Sequence, residues 1–93
     1  MKHHIILKLK KTDNPEEIIE GIKNLYNETL KIDGVKKVDI YTTNSKLRNR
    51  FDLMIKMDLS KEALKEYENS KIHNEIKEKY DSAISKKTVF DCN

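Results

Sequence analysis

Cysteine, tryptophan, proline and glycine are all scarce in this 93-residue chain: one Cys, no Trp, one Pro and two Gly. A single cysteine, Cys92, closes no internal disulfide and builds no cysteine-rich metal site. Two glycines, Gly21 and Gly34, leave no room for a glycine-rich phosphate loop or a nucleophile elbow. Long apolar runs are missing too. Ile5-Ile6-Leu7 falls far short of the ~20 apolar residues that cross a bilayer, and it is too short for the apolar stretch of a signal peptide. No membrane association and a cytoplasmic location are the expectations. Aromatic residues make up only 6% of the chain, so the core must be built almost entirely from aliphatic side chains.

What is abundant is charge. Nineteen basic and sixteen acidic residues give a net charge of +3, and the two signs are interspersed. Such a pattern suits a solvated surface better than a phosphate-binding track. Ninety-three residues support one domain, covering the whole chain 1–93, and the apolar supply of 37% is modest. A core this lean gains from burying further surface against a partner.

The periodicity is clear. His3 to Lys10 alternates, with His3, Ile5, Leu7 and Leu9 on one face of a strand. Asn14-Pro15-Glu16-Glu17 predicts a helix start, with Asn14 as cap and Pro15 at the first helical position. Ile18, Ile19, Ile22, Leu25, Tyr26 and Leu30 form its apolar stripe, and Asp33-Gly34 stops it. A second strand is predicted from Val35 to Thr43, then a polar loop over Thr42 to Asn49. The third strand alternates most cleanly: Phe51, Leu53, Ile55, Met57 and Leu59 share a face. Ser60 caps the next helix, Asn69-Ser70 interrupts it, and Ile72, Ile76, Tyr80 and Ile84 resume the helical stripe. Thr88 to Cys92 reads as a short closing strand.

The order β-α-β-β-α-β places the chain in the α+β class. It predicts a four-stranded antiparallel sheet with both helices on one face, the ferredoxin-like arrangement. Right-handed crossovers put the first and third strands in the centre. The other sheet face then carries Ile6, Tyr41, Met54 and Val89 among Lys8, Lys56, Asp52 and Asp58. Two readings of it stand: a solvated face, or the interface of a homodimer.

His73 is the candidate reactive group. On an unbroken helix, Tyr67 and His73 would lie about 120° apart and could not share a pocket. A break at Asn69-Ser70 lets Ser70 cap a second helix with His73 in its first turn, where the helix dipole favours a neutral imidazole able to accept a proton. Tyr67 could then donate a hydrogen bond to a carbonyl oxygen or orient His73. His3 lies on the helix-facing side of the first strand and could meet them. Equally, a histidine beside Ile72 and Ile76 can be a satisfied, partly buried side chain, and Tyr67 a core aromatic. His3 and His4 point to opposite sheet faces, so a three-histidine metal site is not expected.

Several stretches together resemble the stress-responsive dimeric α/β-barrel family, Dabb. They are the opening Lys2-His3 with Ile5-Ile6-Leu7-Lys8-Leu9-Lys10, Gly34-Val35, Phe51-Asp52-Leu53, Ser60 with Glu62-Ala63-Leu64 and Tyr67, His73, and the closing Phe90-Asp91. The resemblance spans nearly the whole chain. It implies a protomer whose open sheet face packs on its twin to form a dimeric α/β barrel, with a small cavity between helices and sheet. In the family's polyketide cyclases, residues matching Tyr67, His73 and His3 line that cavity. There the histidine is the base of an aldol-type ring closure and the tyrosine assists. Ser70-Lys71 stand where family members commonly carry His-Pro, so the pocket mouth is expected to differ.

Three functions follow as expectations. The first is an enzyme of cyclase or lyase type, needing no cofactor or metal, that acts on a small carbonyl or aromatic compound. His73 and Tyr67 would be its catalytic residues, and His3, Ile5 and Leu7 its ligand-binding residues. The second is a stress-response or ligand-binding protein without turnover. The third, a nucleic-acid binder, is disfavoured because the third strand lacks the glycines and stacking aromatics of an RNA-binding sheet. The missing tryptophan likewise gives no support to the haem- or quinone-type monooxygenases that share the barrel.

Overall fold

In the computed structural model, which describes residues 1–47 and 49–93, four antiparallel strands form one sheet with the order β2-β3-β1-β4. The strands are β1 (Lys2–Leu9), β2 (Val35–Thr42), β3 (Leu53–Leu59) and β4 (Ile84–Cys92). Helices α1 (Pro15–Glu28), α2 (Lys61–Glu68) and α3 (Lys71–Tyr80) connect them. The ferredoxin-like arrangement is present, with β1 and β3 central.

Alternation decides the layers. Along β1 and β3 every second residue is buried, and Ile5, Leu7, Leu53, Ile55, Met57 and Leu59 are each at most 2% exposed. Ile22, Tyr26, Ala63, Tyr67 and Ile76 close over them from the three helices. Each fully buried aliphatic side chain contributes about 1.5–3 kcal/mol over an exposed one. Aliphatics therefore carry most of the core, as the shortage of aromatics requires.

Several local expectations need correction. Asn14 makes no side-chain cap; α1 starts on Pro15 with acidic residues in its first turn. At its other end α1 tightens into a single 3-10 turn over Thr29–Lys31. That turn rotates Thr29 inward and leaves Leu30 47% exposed, so Leu30 is not part of the buried stripe. Gly34 has φ +91°, the left-handed stop conformation, and a Cβ there would meet Ala63 Cβ and Ser60 Oγ, each at 2.9 Å. The third strand begins at Leu53 rather than Phe51. The predicted loop over 42–49 includes Arg48, which lies outside the described residues.

The largest difference is at the C-terminal end. α3 stops at Tyr80, a 3-10 turn covers Asp81–Ala83, and Ile84 opens β4 instead of continuing the helix. The backbone N–H of Lys10 donates to the Ala83 carbonyl at 2.8 Å, which ties the turn to the end of β1. β4 is thus nine residues long. Its register pairs Leu7 with Lys87, Ile5 with Val89 and His3 with Asp91. Directly paired residues share a face, so Val89 lies on the helix side and not on the open face. Phe90, opposite His4, lies on the open face in its place. No helix of the described residues is long and apolar enough to cross a membrane.

Candidate active site

The interruption between α2 and α3 builds the site. Ser70 ends one helix and starts the next: its hydroxyl donates to the Tyr67 carbonyl at 2.7 Å and accepts from the His73 backbone N–H at 3.1 Å. Ser60 caps α2 in the same way, accepting from Ala63 at 3.1 Å. Ending α2 leaves its last carbonyls without helical partners. The Glu68 carbonyl finds one in the His73 ring, at 2.9 Å from Nδ1. The turn also carries the chain round so that the Tyr67 and His73 rings pack together, centroids 4.7 Å apart. The break thus brings the two predicted residues side by side.

That contact settles the chemistry of the imidazole. A carbonyl can only accept, so Nδ1 carries the hydrogen and Nε2 keeps a free lone pair. Partial burial holds the ring's pKa below the ordinary histidine value. The bond to the Glu68 carbonyl works against that lowering, the Lys77 and Lys87 ammonium groups add to it, and the Glu68 carboxylate opposes it. His73 is therefore a neutral imidazole near pH 7 with one nitrogen available as a base.

Tyr67 is 2% exposed. Its hydroxyl donates to the Tyr26 hydroxyl at 3.2 Å, with the two rings 6.3 Å apart. Burial, assisted by the neighbouring Tyr26 and Glu68, pushes the Tyr67 phenol far above its ordinary pKa. Burial raises Tyr26 as well, partly offset by the bond it accepts from Tyr67. Both phenols stay neutral. In this arrangement the Tyr67 hydrogen is already in use, and what the residue offers His73 is contact with its ring, tilted 55° to the imidazole.

His3 is 6% exposed. Its Nδ1 pairs with the Asp91 carboxylate at 2.5 Å, and its ring meets Tyr67 edge-on at 6.0 Å. Together these groups border a hollow of about 210 Å³ lined by His3, Ile5, Tyr67, Glu68, His73, Lys77, Lys87 and Val89. That is below the roughly 300 Å³ at which pockets for drug-sized ligands begin, so the space suits a small molecule. Of the predicted residues, His73, Tyr67, His3 and Ile5 meet at this hollow. Leu7 does not: it is buried in the core at 2% exposure, outside the lining.

Glu68, Lys77, Lys87, Val89, Asp91 and Tyr26 were not assigned to the site from the sequence; Tyr26 was placed in the apolar stripe of the first helix and Val89 on the open sheet face. Lys77 was within reach of that reasoning, since it follows His73 by one helical turn and shares its face. Lys87, Val89 and Asp91 alternate along β4 opposite Leu7, Ile5 and His3. Extending the parity of β1 across the sheet, with β4 given its full length, finds all three. Among the described residues, no group of three or more His, Cys, Asp or Glu side chains is placed to hold a metal ion.

Fold and site together define a ferredoxin-like α+β domain with a histidine-lined hollow between its helices and an edge strand. The chain belongs to the stress responsive A/B barrel domain family, Dabb, whose family model matches residues 1–93. Among solved structures it is similar to a protein of Arabidopsis thaliana, at 26% identity and TM-score 0.80, the match covering 99% of this chain and 92% of that one. A dimeric ferredoxin-like protein of unknown function from Thermobifida fusca shares the fold at 12% identity and TM-score 0.80, covering 96% and 85% of the two chains. The hydroxynitrile lyase of Passiflora edulis does so at 16% identity and TM-score 0.77, covering 96% and 87%. Among curated proteins, none matches the chain.

Proposed function

We propose that this protein is a homodimeric, cofactor-independent enzyme of cyclase or lyase type, and that His73 is its general base toward a small carbonyl compound. The observation that carries this reading is the bond from His73 Nδ1 to the Glu68 carbonyl. It fixes one tautomer and leaves Nε2 as the free lone pair of a side chain that lines the hollow. In an aldol-type closure, Nε2 takes the proton from a carbon next to a carbonyl, and the electron pair moves onto the carbonyl oxygen as an enolate. The enolate carbon then forms its bond to a second carbonyl carbon, and the oxygen released there takes the proton back from the imidazolium. Tyr67 holds the imidazole plane by ring contact, and His3, set by Asp91, and Ile5 form the side of the hollow that belongs to β1. A lyase among the proteins that share the fold supports the chemistry as one the fold can host.

His73→Ala should abolish turnover of a small β-diketone or β-polyketide substrate while the circular dichroism spectrum stays that of the wild type. Turnover unchanged in that variant removes His73 from catalysis. One observation favours a second reading, a ligand-binding protein without turnover: the Tyr67 hydroxyl is already bonded to Tyr26, which leaves no neutral donor of its own for an enolate. Under that reading, small carbonyl compounds raise the thermal midpoint of the wild type without being consumed.

The dimer is proposed to form through the open sheet face. Ile6, Met54 and Tyr41 lie in one cross-strand row there, Tyr41 and Phe90 are 50% and 59% exposed, and a second hollow of about 210 Å³ borders that row. Dimeric relatives of the fold support this arrangement. Met54→Asp puts an unpaired charge at the middle of the face, and light scattering should then report a monomer. A variant that keeps the wild-type particle mass would move the interface elsewhere.

A further inference from the structure

The charges around the hollow are uneven. Lys77, from α3, and Lys87, from β4, stand on different elements and both line it. Among the described residues, neither ammonium group lies within 4.0 Å of a carboxylate, and neither donates a side-chain hydrogen bond. The carboxylates nearby are otherwise placed. Asp91 is bound to His3, and Glu68 stands alone against two cations. The contrast on α3 itself is informative: Lys79, two residues from Lys77, is paired with Glu75 at 3.0 Å and does not line the hollow.

Two ammonium groups from different elements that border one small hollow can hold an anion between them. Long-range attraction of this kind also gathers anionic ligands toward a site. Both lysines are exposed, so each alone is a solvated side chain; what sets them apart is that they border the same hollow as the His73 imidazole.

Taking the general-base reading of His73 as its ground, we propose that the hollow selects carbonyl compounds that also carry a carboxylate, held between Lys77 and Lys87 with the reacting carbon turned toward His73. A keto acid fits this class and a neutral ketone of the same size does not. The lysines have a second effect once the ligand arrives. The bound carboxylate cancels their field at the imidazole, while Glu68, His3 with Asp91, and Tyr67 keep their places. The imidazole becomes a stronger base when the right substrate is present than when the hollow is empty.

The test compares benzoate with benzamide as probes of nearly equal shape, by titration of the full-length protein followed by NMR. Wild-type protein should bind benzoate in preference to benzamide. Lys77→Gln and Lys87→Gln should each weaken benzoate about threefold, and the double variant about tenfold, on the scale of exposed ion pairs. Benzamide should be unaffected by either change. Lys79→Gln removes the same charge outside the hollow and should leave benzoate binding unchanged.

Equal binding of benzoate and benzamide to the wild type overturns the proposal. So does a loss in Lys79→Gln as large as in Lys77→Gln, which would mean net charge alone. Inorganic phosphate bound more tightly than benzoate overturns the assignment to carboxylates. His73→Ala separates this proposal from the reading beneath it. If that variant still turns over a neutral β-diketone while benzoate binding remains lysine-dependent, the base is wrong and the anion site stands.

Discussion

Ile5 and Val89 are direct cross-strand partners on the same face of the same sheet, yet Ile5 is 1% exposed and Val89 49%. Both residues are aliphatic and directly paired, yet β1 buries every second side chain and β4 buries none, so the residue type does not separate them. The helices do: α1, α2 and α3 cover the central strands and stop short of β4. Where the cover ends, the sheet face stays open to solvent, and there the hollow and its charged residues collect. Burial on this fold is decided by what lies above a strand as much as by the strand itself.

Substitutions on the two sides of that boundary should diverge. Ile5→Ala removes a fully covered side chain and should lower unfolding free energy by about 2–5 kcal/mol, read from urea denaturation. The change at the hinge between the regions should be intermediate. Ser70→Ala deletes the α3 cap and the bond to the Tyr67 carbonyl, at about 1 kcal/mol. The same substitution should disturb the His73 ring signals in NMR, because Ser70 also fixes the first turn of α3. Val89→Ala should fall within about 0.5 kcal/mol of the wild type. A loss at Val89 as large as at Ile5 would show that something covers β4 in solution, and the comparison would have to be redrawn around that cover.

The smallest effect is the dependence of stability on pH. Burial lowers the folded pKa of His73, so on acidification the unfolded chain takes up this proton first. The contribution is whole above about pH 6.5, the ordinary imidazole value, and is lost as pH falls through that value toward the lower folded one. His73→Gln, which cannot titrate, should flatten the fall of the thermal midpoint over that window relative to the wild type. An unchanged slope would show that the ring is as well solvated folded as unfolded.

The covered half of the molecule was legible in the sequence because its signals are local and periodic. The alternation of β1 and β3, the stop at Gly34 and the caps at Ser60 and Ser70 each follow from a few adjacent residues. The break at Asn69-Ser70 was also readable, and it is what lets Tyr67 and His73 meet. The uncovered half was harder because its signals depend on pairing. Ile84 continues the spacing of Ile72, Ile76 and Tyr80 and so reads as helix, although the chain has already turned back along β1. With β4 taken to start at Thr88, Lys87 fell outside it, and without the pairing register Val89 was put on the open face instead of beside the hollow. Leu30 failed for a related reason: a 3-10 turn changes the period just where the stripe was being extrapolated. The commitment of the Tyr67 hydroxyl to Tyr26 joins residues from α1 and α2, and no spacing along the chain announces it.

The split of one long helix into α2 and α3 has a consequence for how the molecule can vary. Floor and wall of the cavity are separate pieces, each with its own serine to begin it, joined by two residues. Exchanging side chains along the ten-residue wall can therefore retune which guest is admitted, while the tyrosine pair underneath stays anchored in the interior.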